Sequence, residues 1–185
     1  MMKTARQVAA FIEQQAEMMR LLQLVAELRL ADCWIGGGFI RDAVWDALHD
    51  RVPDCARLND VDVVFFDRSK TTAAHDQQVE RELVARCPNV PWSVKNQARM
   101  HIRNRVPPYP DISGAIASWP ETATAVAARL DNGRVTLLAP HGVGDLVNLI
   151  VRPTPAFVSR RDEVAVRVSS KNWRALWPRL TILDI

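Results

Sequence analysis

Asp60 and Asp62, in the stretch Asn59-Asp-Val-Asp-Val-Val-Phe-Phe66, are the residues whose type and spacing point most directly to chemistry. Side chains two apart on a β-strand project to the same side. These two carboxylates therefore point together, while Val61, Val63 and Phe65 point the other way. Two such charges about 6 Å apart repel by roughly 3 kcal/mol at an effective dielectric of about 20, so the pair asks for a cation. A hard divalent ion suits it, because Mg²⁺ prefers carboxylate oxygens, keeps several waters and bridges to substrate phosphates. Upstream, Trp34-Ile-Gly-Gly-Gly-Phe-Ile-Arg-Asp42 reads as a buried strand, a glycine turn and a helix start. Such a turn leaves backbone N–H groups of Gly36, Gly37 and Gly38 free for an anion such as a phosphate, with Arg41 in reach of the same anion and Asp42 read as structural. The plainer alternatives are an Asn59-Asp60 turn cap with Asp62 in solvent, and a tight strand–helix turn that binds nothing.

A second group is basic. From Val94 to Arg105, Lys95, Gln97, Arg99, His101 and Arg103 alternate with Val94, Ala98, Met100 and Ile102, the pattern of a half-exposed strand with one basic face. Lys95, Asn96, Arg99 and His101 are candidate substrate-binding residues there, arginine being suited to bidentate phosphate contact. A solvated strand face is the competing reading at the Arg103 end, and His101 reads as a binding or structural residue rather than a base. A late helix carrying Arg160, Arg167, Lys171 and Arg174 is read as surface, and Trp119, Trp173 and Trp177 as core anchors.

Glycine turn, Phe39-Ile-Arg-Asp42 helix start and Asp-Val-Asp strand together resemble the core of the DNA polymerase β-like nucleotidyltransferase superfamily, tRNA CCA-adding enzymes included. The run from Trp34 to Pro178 is more closely similar to a bacterial nucleotidyltransferase-like family of that superfamily. Its motifs stand here as Trp45-Asp46, Asn96-Gln-Ala-Arg-Met-His101, Trp119-Pro-Glu-Thr-Ala-Thr-Ala125, Lys171-Asn-Trp173 and Trp177-Pro178. The resemblance implies an α+β polymerase β-like fold with a mixed sheet flanked by helices, mainly on one face. It also implies an NTP substrate, catalytic and metal-binding roles for Asp60 and Asp62, and two Mg²⁺ ions activating an acceptor hydroxyl and stabilising the α-phosphate. The β- and γ-phosphates would rest on Gly37 and Gly38.

Two departures from the superfamily pattern bear on function. Many of its members carry a third carboxylate on the strand after the aspartate pair, yet no Asp or Glu lies between Val90 and Pro110. Glu121 or Asp111 would have to stand in, or the chain works with two carboxylates, as CCA-adding relatives of one class do. The Arg-Arg-Asp and Glu-Asp-x-x-Arg elements and the large helical domain of those relatives are missing too, which argues against a tRNA substrate. The expected activity is transfer of an NMP group from an NTP to a hydroxyl-type acceptor on a small molecule or protein. A catalytically silent nucleotide- or partner-binding regulatory module is the alternative.

Composition sets wider bounds. With 185 residues, 48% hydrophobic and 24% charged, the chain has an ordinary globular make-up, read as one domain over residues 1–185. A net charge of +3 permits an anionic ligand without implying nucleic acid. Cys33, Cys55 and Cys87 are odd in number and form no Cys-x-x-Cys pair, arguing against a disulfide framework and a zinc site and for a cytoplasmic protein. No apolar run approaches the ~20 residues of a membrane span, and no signal-peptide core is seen. Oligomeric state is not written in the sequence.

The elements that must position these residues follow from periodicity. A long amphipathic helix is expected from Thr4 to Arg29, opened by a Thr4/Gln7 capping box. A short strand follows at Asp32–Ile35, then a helix to His49-Asp50, a Pro-containing local insertion from Arg51 to Asn59, the Asp60–Phe66 strand, and a helix with Val79, Leu83 and Cys87 closed by Pro88. Beyond the basic strand, a short helix over Ile112–Ser118 brings Trp119 under the sheet, and Asp131-Asn-Gly133 turns a hairpin between strands Thr122–Leu130 and Arg134–Ala139. A helix capped by Asp145 runs to Val151, and a final helix spans Ser159 to Trp177.

Overall fold

A computed structural model describes residues 2–185. Thr4 caps the first helix, α1 (Ala5–Glu13), through the expected reciprocal box with Gln7. The apolar period then continues, but the helix does not. Gln15 takes an extended conformation and α2 (Ala16–Ala26) starts in a new direction. No Gly or Pro causes the break. Glu13 at the end of α1 is instead drawn to the sheet, where its carboxylate accepts from the Val135 amide at 3.0 Å and meets Arg134 at 3.0 Å.

The chain continues through β1 (Trp34–Gly36), α3 (Gly38–Leu48), a single 3₁₀ turn at Cys55–Arg57, β2 (Val61–Phe65), α4 (Ala73–Arg86) and β3 (Trp92–Asn96). Next come α5 (Gln97–Asn104), α6 (Ile112–Ala117), the hairpin β4 (Ala127–Asp131) and β5 (Arg134–Leu138), α7 (Gly144–Val147) and β6 (Ile150–Val151). A 3₁₀ segment at Pro155–Arg160, α8 (Arg161–Ser170), α9 (Trp173–Leu176) and β7 (Thr181–Ile182) complete it. The main sheet has the order β3-β2-β1-β4-β5, with β2 and β3 parallel and the other neighbours antiparallel. It is the expected mixed sheet. Asn132 and Gly133 both take positive φ in the hairpin turn, as the Asn-Gly pair requires.

Alternation along β2 divides the core. Val61, Val63 and Phe65 face the large cluster built from α1, α2, α3 and α4, including Ile12, Leu22, Val44 and Leu83. Val64 faces the opposite side, with Trp34, Ala127 and Ile112 and Ile116 of α6. Asp62, two residues from Val64, belongs to this thinner side, where less apolar mass covers the sheet.

The basic strand is corrected. Only Trp92–Asn96 is extended; Gln97–Asn104 is helical. The polar/apolar alternation over these few residues misled, because Asn96 is a strong helix start. Its Oδ1 accepts from the Ala98 amide at 3.0 Å and the Asp67 amide at 3.1 Å, and its Nδ2 donates to the carbonyls of Asp67 and Lys70. Two later helices are also shorter than expected. α7 stops at Val147 and Leu149 takes positive φ, releasing Ile150–Val151 to pair with β7. The last helix is broken at Asn172, in the left-handed region at φ 53°, which turns Trp173 inward. Asp145 is not the cap of α7. It sits in the first turn, accepting from Thr122 Oγ1 at 2.6 Å and pairing with Arg152 at 2.9 Å.

Asn96 is fully buried and all its side-chain polar atoms are engaged, so Asn96→Ala leaves two amides and two carbonyls without their partner. A loss of about 2–4 kcal/mol is expected in urea unfolding. A loss below about 0.5 kcal/mol would show that the network is replaced by water.

Candidate active site

The glycine turn is built by close approach and backbone conformation. A Cβ on Gly36 would lie 2.5 Å from Trp119 Cη2, so the indole sits directly on this residue. Gly37 has φ +63° and ψ −125°, a conformation that side chains disfavour. Its amide is not free. It donates to the Val126 carbonyl at 2.9 Å, and its own carbonyl accepts from the amides of Ile40 and Arg41. The cradle is thus narrower than the sequence suggests: Gly38 and Phe39, the first two residues of α3, carry the amides a helix start leaves without intrahelical acceptors.

Strand register brings the aspartates to this turn. Gly36 pairs with Asp62 across β1 and β2, and Asp62 Oδ2 would be 3.5 Å from a Cβ on Gly37. Asp60 and Asp62 both line one cleft of 200 Å³ with Gly38, Arg41 and Lys171. Burial raises the Asp62 pKa above its ordinary value, and the Asp60 charge raises it further; Ser93, Lys171 and Lys95 pull the other way. The two carboxylates therefore lie close enough to repel through partly shielded space.

Arg41 is 4% exposed and fixed on several sides. Its Nε donates to Asp42 Oδ1 at 2.8 Å, its Nη1 donates to Thr124 Oγ1 at 3.0 Å, and its guanidinium lies 4.4 Å from the centre of the Trp173 ring. It brings a rigid positive charge to the turn, with Nη2 3.4 Å from where a Gly38 Cβ would be. Burial also raises the Asp42 carboxyl, against the opposing pull of Arg41.

The other wall comes from segments that the sequence reading placed elsewhere. Arg167 and Lys171, one helical turn apart, both face the cleft, so the late basic helix is not simply surface. The Lys171 side chain makes no ion pair or hydrogen bond among the described residues, and its charge acts on Asp42 and Asp62. Trp173 and Trp177 line the cleft and also hold it together. They meet Trp45 edge-on at 5.4 and 5.1 Å, and Trp177 Nε1 donates to Asp46 Oδ1 at 2.9 Å. Asp46 further pairs with Arg57 at 2.9 Å, tying the Arg51–Asn59 insertion to α3. The sequence signals for Lys171 were the Lys171-Asn-Trp173 motif and its spacing four residues after Arg167.

The proposed basic face separates. Lys95 stays near Asp62, on the wall of a neighbouring cleft. Asn96 is the buried cap described above, and Arg99 is committed to Asp76 by its Nε at 2.8 Å. His101 Nδ1 contacts its own helix at the Ala98 carbonyl, 3.0 Å away. These last three build α5 and its anchorage instead of lining the aspartate cleft. The substitute acids are also placed. Asp111 caps α6 through the Gly114 amide at 2.8 Å, and fully buried Glu121 pairs with Arg167 at 2.7 Å. No group of three His, Cys, Asp or Glu able to hold a metal occurs among the described residues. The chain's own donor set is two carboxylates, which fits a hard cation completed by water and substrate phosphate. Burial pushes the Cys33 thiol up to about 12 and the Cys55 thiol up to about 11, which disfavours the thiolate at both.

This architecture has counterparts. A nucleotidyltransferase family model matches residues 23–182, and the chain belongs to that family. It is therefore a nucleotidyltransferase of the polymerase β-like superfamily. A structure solved by NMR and described as revealing a CCA-adding enzyme head domain is similar over 100% of this chain and 98% of its own, at 30% identity and a TM-score of 0.87. Two apo forms of a tRNA-processing enzyme align at 18% and 19% identity with TM-scores of 0.47 and 0.49; they cover 79% and 82% of this chain, which spans 39% of each. No curated protein matches the sequence. No helix among the described residues is long and apolar enough to cross a membrane.

The aspartate geometry gives a pH signature in metal-free protein. Because the folded pKa of Asp62 lies above its ordinary 3.8, stability falls as pH rises from that value through the folded pKa, and the penalty is complete above it. Asp62→Asn is expected to be more stable than wild type at neutral pH in urea unfolding, the gap closing as pH is lowered. Equal stability at every pH would mean that Asp60 and burial do not strain Asp62.

Proposed function

We propose that this protein transfers a nucleoside monophosphate group from an NTP to a hydroxyl-type acceptor on a small molecule or protein, in a Mg²⁺-dependent reaction in the aspartate cleft. The observation that carries the proposal is the convergence of Asp60, Asp62, the start of α3 and Lys171 on one cleft. Asp60 and Asp62 would hold Mg²⁺, which would supply Lewis acidity for the transfer.

The chain's own groups bind and orient. The amides of Gly38 and Phe39 take phosphate oxygens of the triphosphate, a site that the helix start favours electrostatically. Arg41, already anchored by Asp42 and Thr124, contributes a fixed charge at the same place without having to be ordered when substrate binds. Lys171 has no protein partner to leave and swings to the triphosphate from the opposite wall. In the transfer itself, a lone pair on the acceptor oxygen forms the new bond to the α-phosphorus, and the bond from that phosphorus to pyrophosphate breaks. Pyrophosphate leaves with the electron pair and the hydroxyl proton passes to water. Asp60 and Asp62 act by placing charge and fixing the in-line geometry.

A silent nucleotide- or partner-binding module is the second reading, favoured by the engagement of Glu121 with Arg167, which withholds a third acid from Asp60 and Asp62. Calorimetric titration of ATP, GTP, CTP and UTP with Mg²⁺ into wild type and into Asp60→Ala/Asp62→Ala tests the site: at least one nucleotide is expected to bind wild type and to lose about tenfold or more in the variant. Undiminished binding would refute metal-bridged phosphate recognition. Radiolabelled NTPs with a cell extract separate the two readings. Mg²⁺-dependent labelling of a product that the double variant fails to label supports the enzyme, and nucleotide binding without labelling supports the module.

A further inference from the structure

A second cleft, of 450 Å³, adjoins the first, and Asp62, Thr124 and Arg167 line both. Its lining differs in kind. The first cleft carries five carboxylates and five cationic side chains, whereas the second has Lys95, Arg103, Arg160 and Arg167 against the single carboxylate of Asp62. Three rings, Tyr109, Trp119 and Phe157, provide apolar wall between the charges. Two of the cations are already committed. Arg167 pairs with buried Glu121, and Arg160 pairs with Glu163 at 2.8 Å while lying 4.1 Å from the centre of the Phe157 ring. Lys95 Nζ donates to the Val94 carbonyl at 2.9 Å and lies 3.8 Å from Glu80, and the Arg103 side chain forms no ion pair or hydrogen bond among the described residues. Exposed at the end of α5, Arg103 is free to turn inward.

We propose that this second cleft receives the acceptor, and that the acceptor is a small hydroxyl-bearing phosphomonoester with a flat apolar part. The inference rests on the function proposed above. In-line transfer needs the attacking hydroxyl and the departing pyrophosphate on opposite sides of the α-phosphorus. A carboxylate at the junction of two clefts meets that need: the triphosphate occupies the side with Gly38 and Lys171, and the acceptor occupies the side with Lys95 and Arg103. One uncommitted arginine, together with the Lys95 ammonium, matches one phosphate group, and the apolar lining of Tyr109, Trp119 and Phe157 suits a planar body. A nucleic-acid strand would instead call for a series of free cations along a track of phosphates.

Phenyl phosphate serves as the probe, followed by heteronuclear NMR of the full chain, because it carries one phosphomonoester and one ring. It is expected to shift the Trp119 indole and the resonances of Arg103 and Phe157, to leave Trp173 and Lys171 unmoved, and to keep binding when Mg²⁺-ATP saturates the first cleft. Arg103→Gln should weaken the probe about tenfold or more without changing Mg²⁺-ATP affinity, and exposed Arg174→Gln should change neither. Shifts at Gly38 and Trp173 that Mg²⁺-ATP abolishes would overturn the assignment, as would equal weak shifts at arginines all over the surface. A single-stranded oligonucleotide that binds more tightly than phenyl phosphate, with steep salt dependence and through Arg103, would overturn the small-molecule assignment. Probe binding at the second cleft in protein that fails to bind any Mg²⁺-NTP would instead defeat the function proposed above while leaving the phosphomonoester site in place.

Discussion

The pairing of Gly36 with Asp62 across β1 and β2 is the constraint from which the rest of the site follows. It sets an acidic side chain against the barest backbone in the chain. On one side Trp119 closes over Gly36, and on the other Gly37 turns through a positive φ into α3. A slip of one residue in this register would send Asp62 into the apolar cluster with Val61 and Val63 outside it, so burial of those valines fixes the carboxylate's direction. The fold itself gains nothing from having Asp62 there. Its proton affinity is raised by burial and by Asp60, a penalty that folding alone would not retain.

The second dependence is long-range. Residues of α3 and of the chain's last turns of helix are packed into one unit, since Trp45 packs against both Trp173 and Trp177 and Asp46 accepts from the Trp177 indole. Arg41 is inserted into the same unit through Trp173. Positioning of Lys171 therefore relies on aromatic packing more than on ion pairs, which screening by salt would weaken. The break at Asn172 is part of this device: a continuous helix would carry Trp173 round its axis by a further helical step, and the left-handed residue redirects it to Trp45.

Much of this was legible from periodicity and turn chemistry, and the failures have physical causes. The β2 alternation, the Thr4/Gln7 box and the Asn132-Gly133 hairpin are local, so sequence spacing specified them. Asn96 was misread because alternation over about ten residues outweighed one capping residue, although the cap makes four side-chain hydrogen bonds. The broken helices at Gln15 and Asn172 were invisible because neither break contains Gly or Pro; tertiary contacts made by Glu13 and Trp173 decide them. Among candidate site residues, Asp60, Asp62 and the glycine turn are legible as neighbours because a strand and a turn place them locally. Lys171 was missed because only the fold of a segment more than a hundred residues downstream brings it opposite them.

With Asp42, Asp46 and Asp54 paired to Arg41 and Arg57, Asp60 and Asp62 are the two acids of the cleft without an ion-pair partner among the described residues, and this changes how charge must be balanced there. The five carboxylates of the cleft are matched by five cationic side chains, and Lys171 and Lys95 both act on Asp62. On the proposed reading a divalent ion has little to hold it before substrate arrives, and the triphosphate supplies the missing negative oxygens. Nucleotide and metal then bind as one unit, each raising the other's affinity, because neither the two lysines nor the two aspartates can be neutralised by one of them alone. The pairing of Glu121 with Arg167 preserves this balance. Freeing Glu121 would add an acid near the cleft, but would also release the Arg167 charge that now sits between the two clefts.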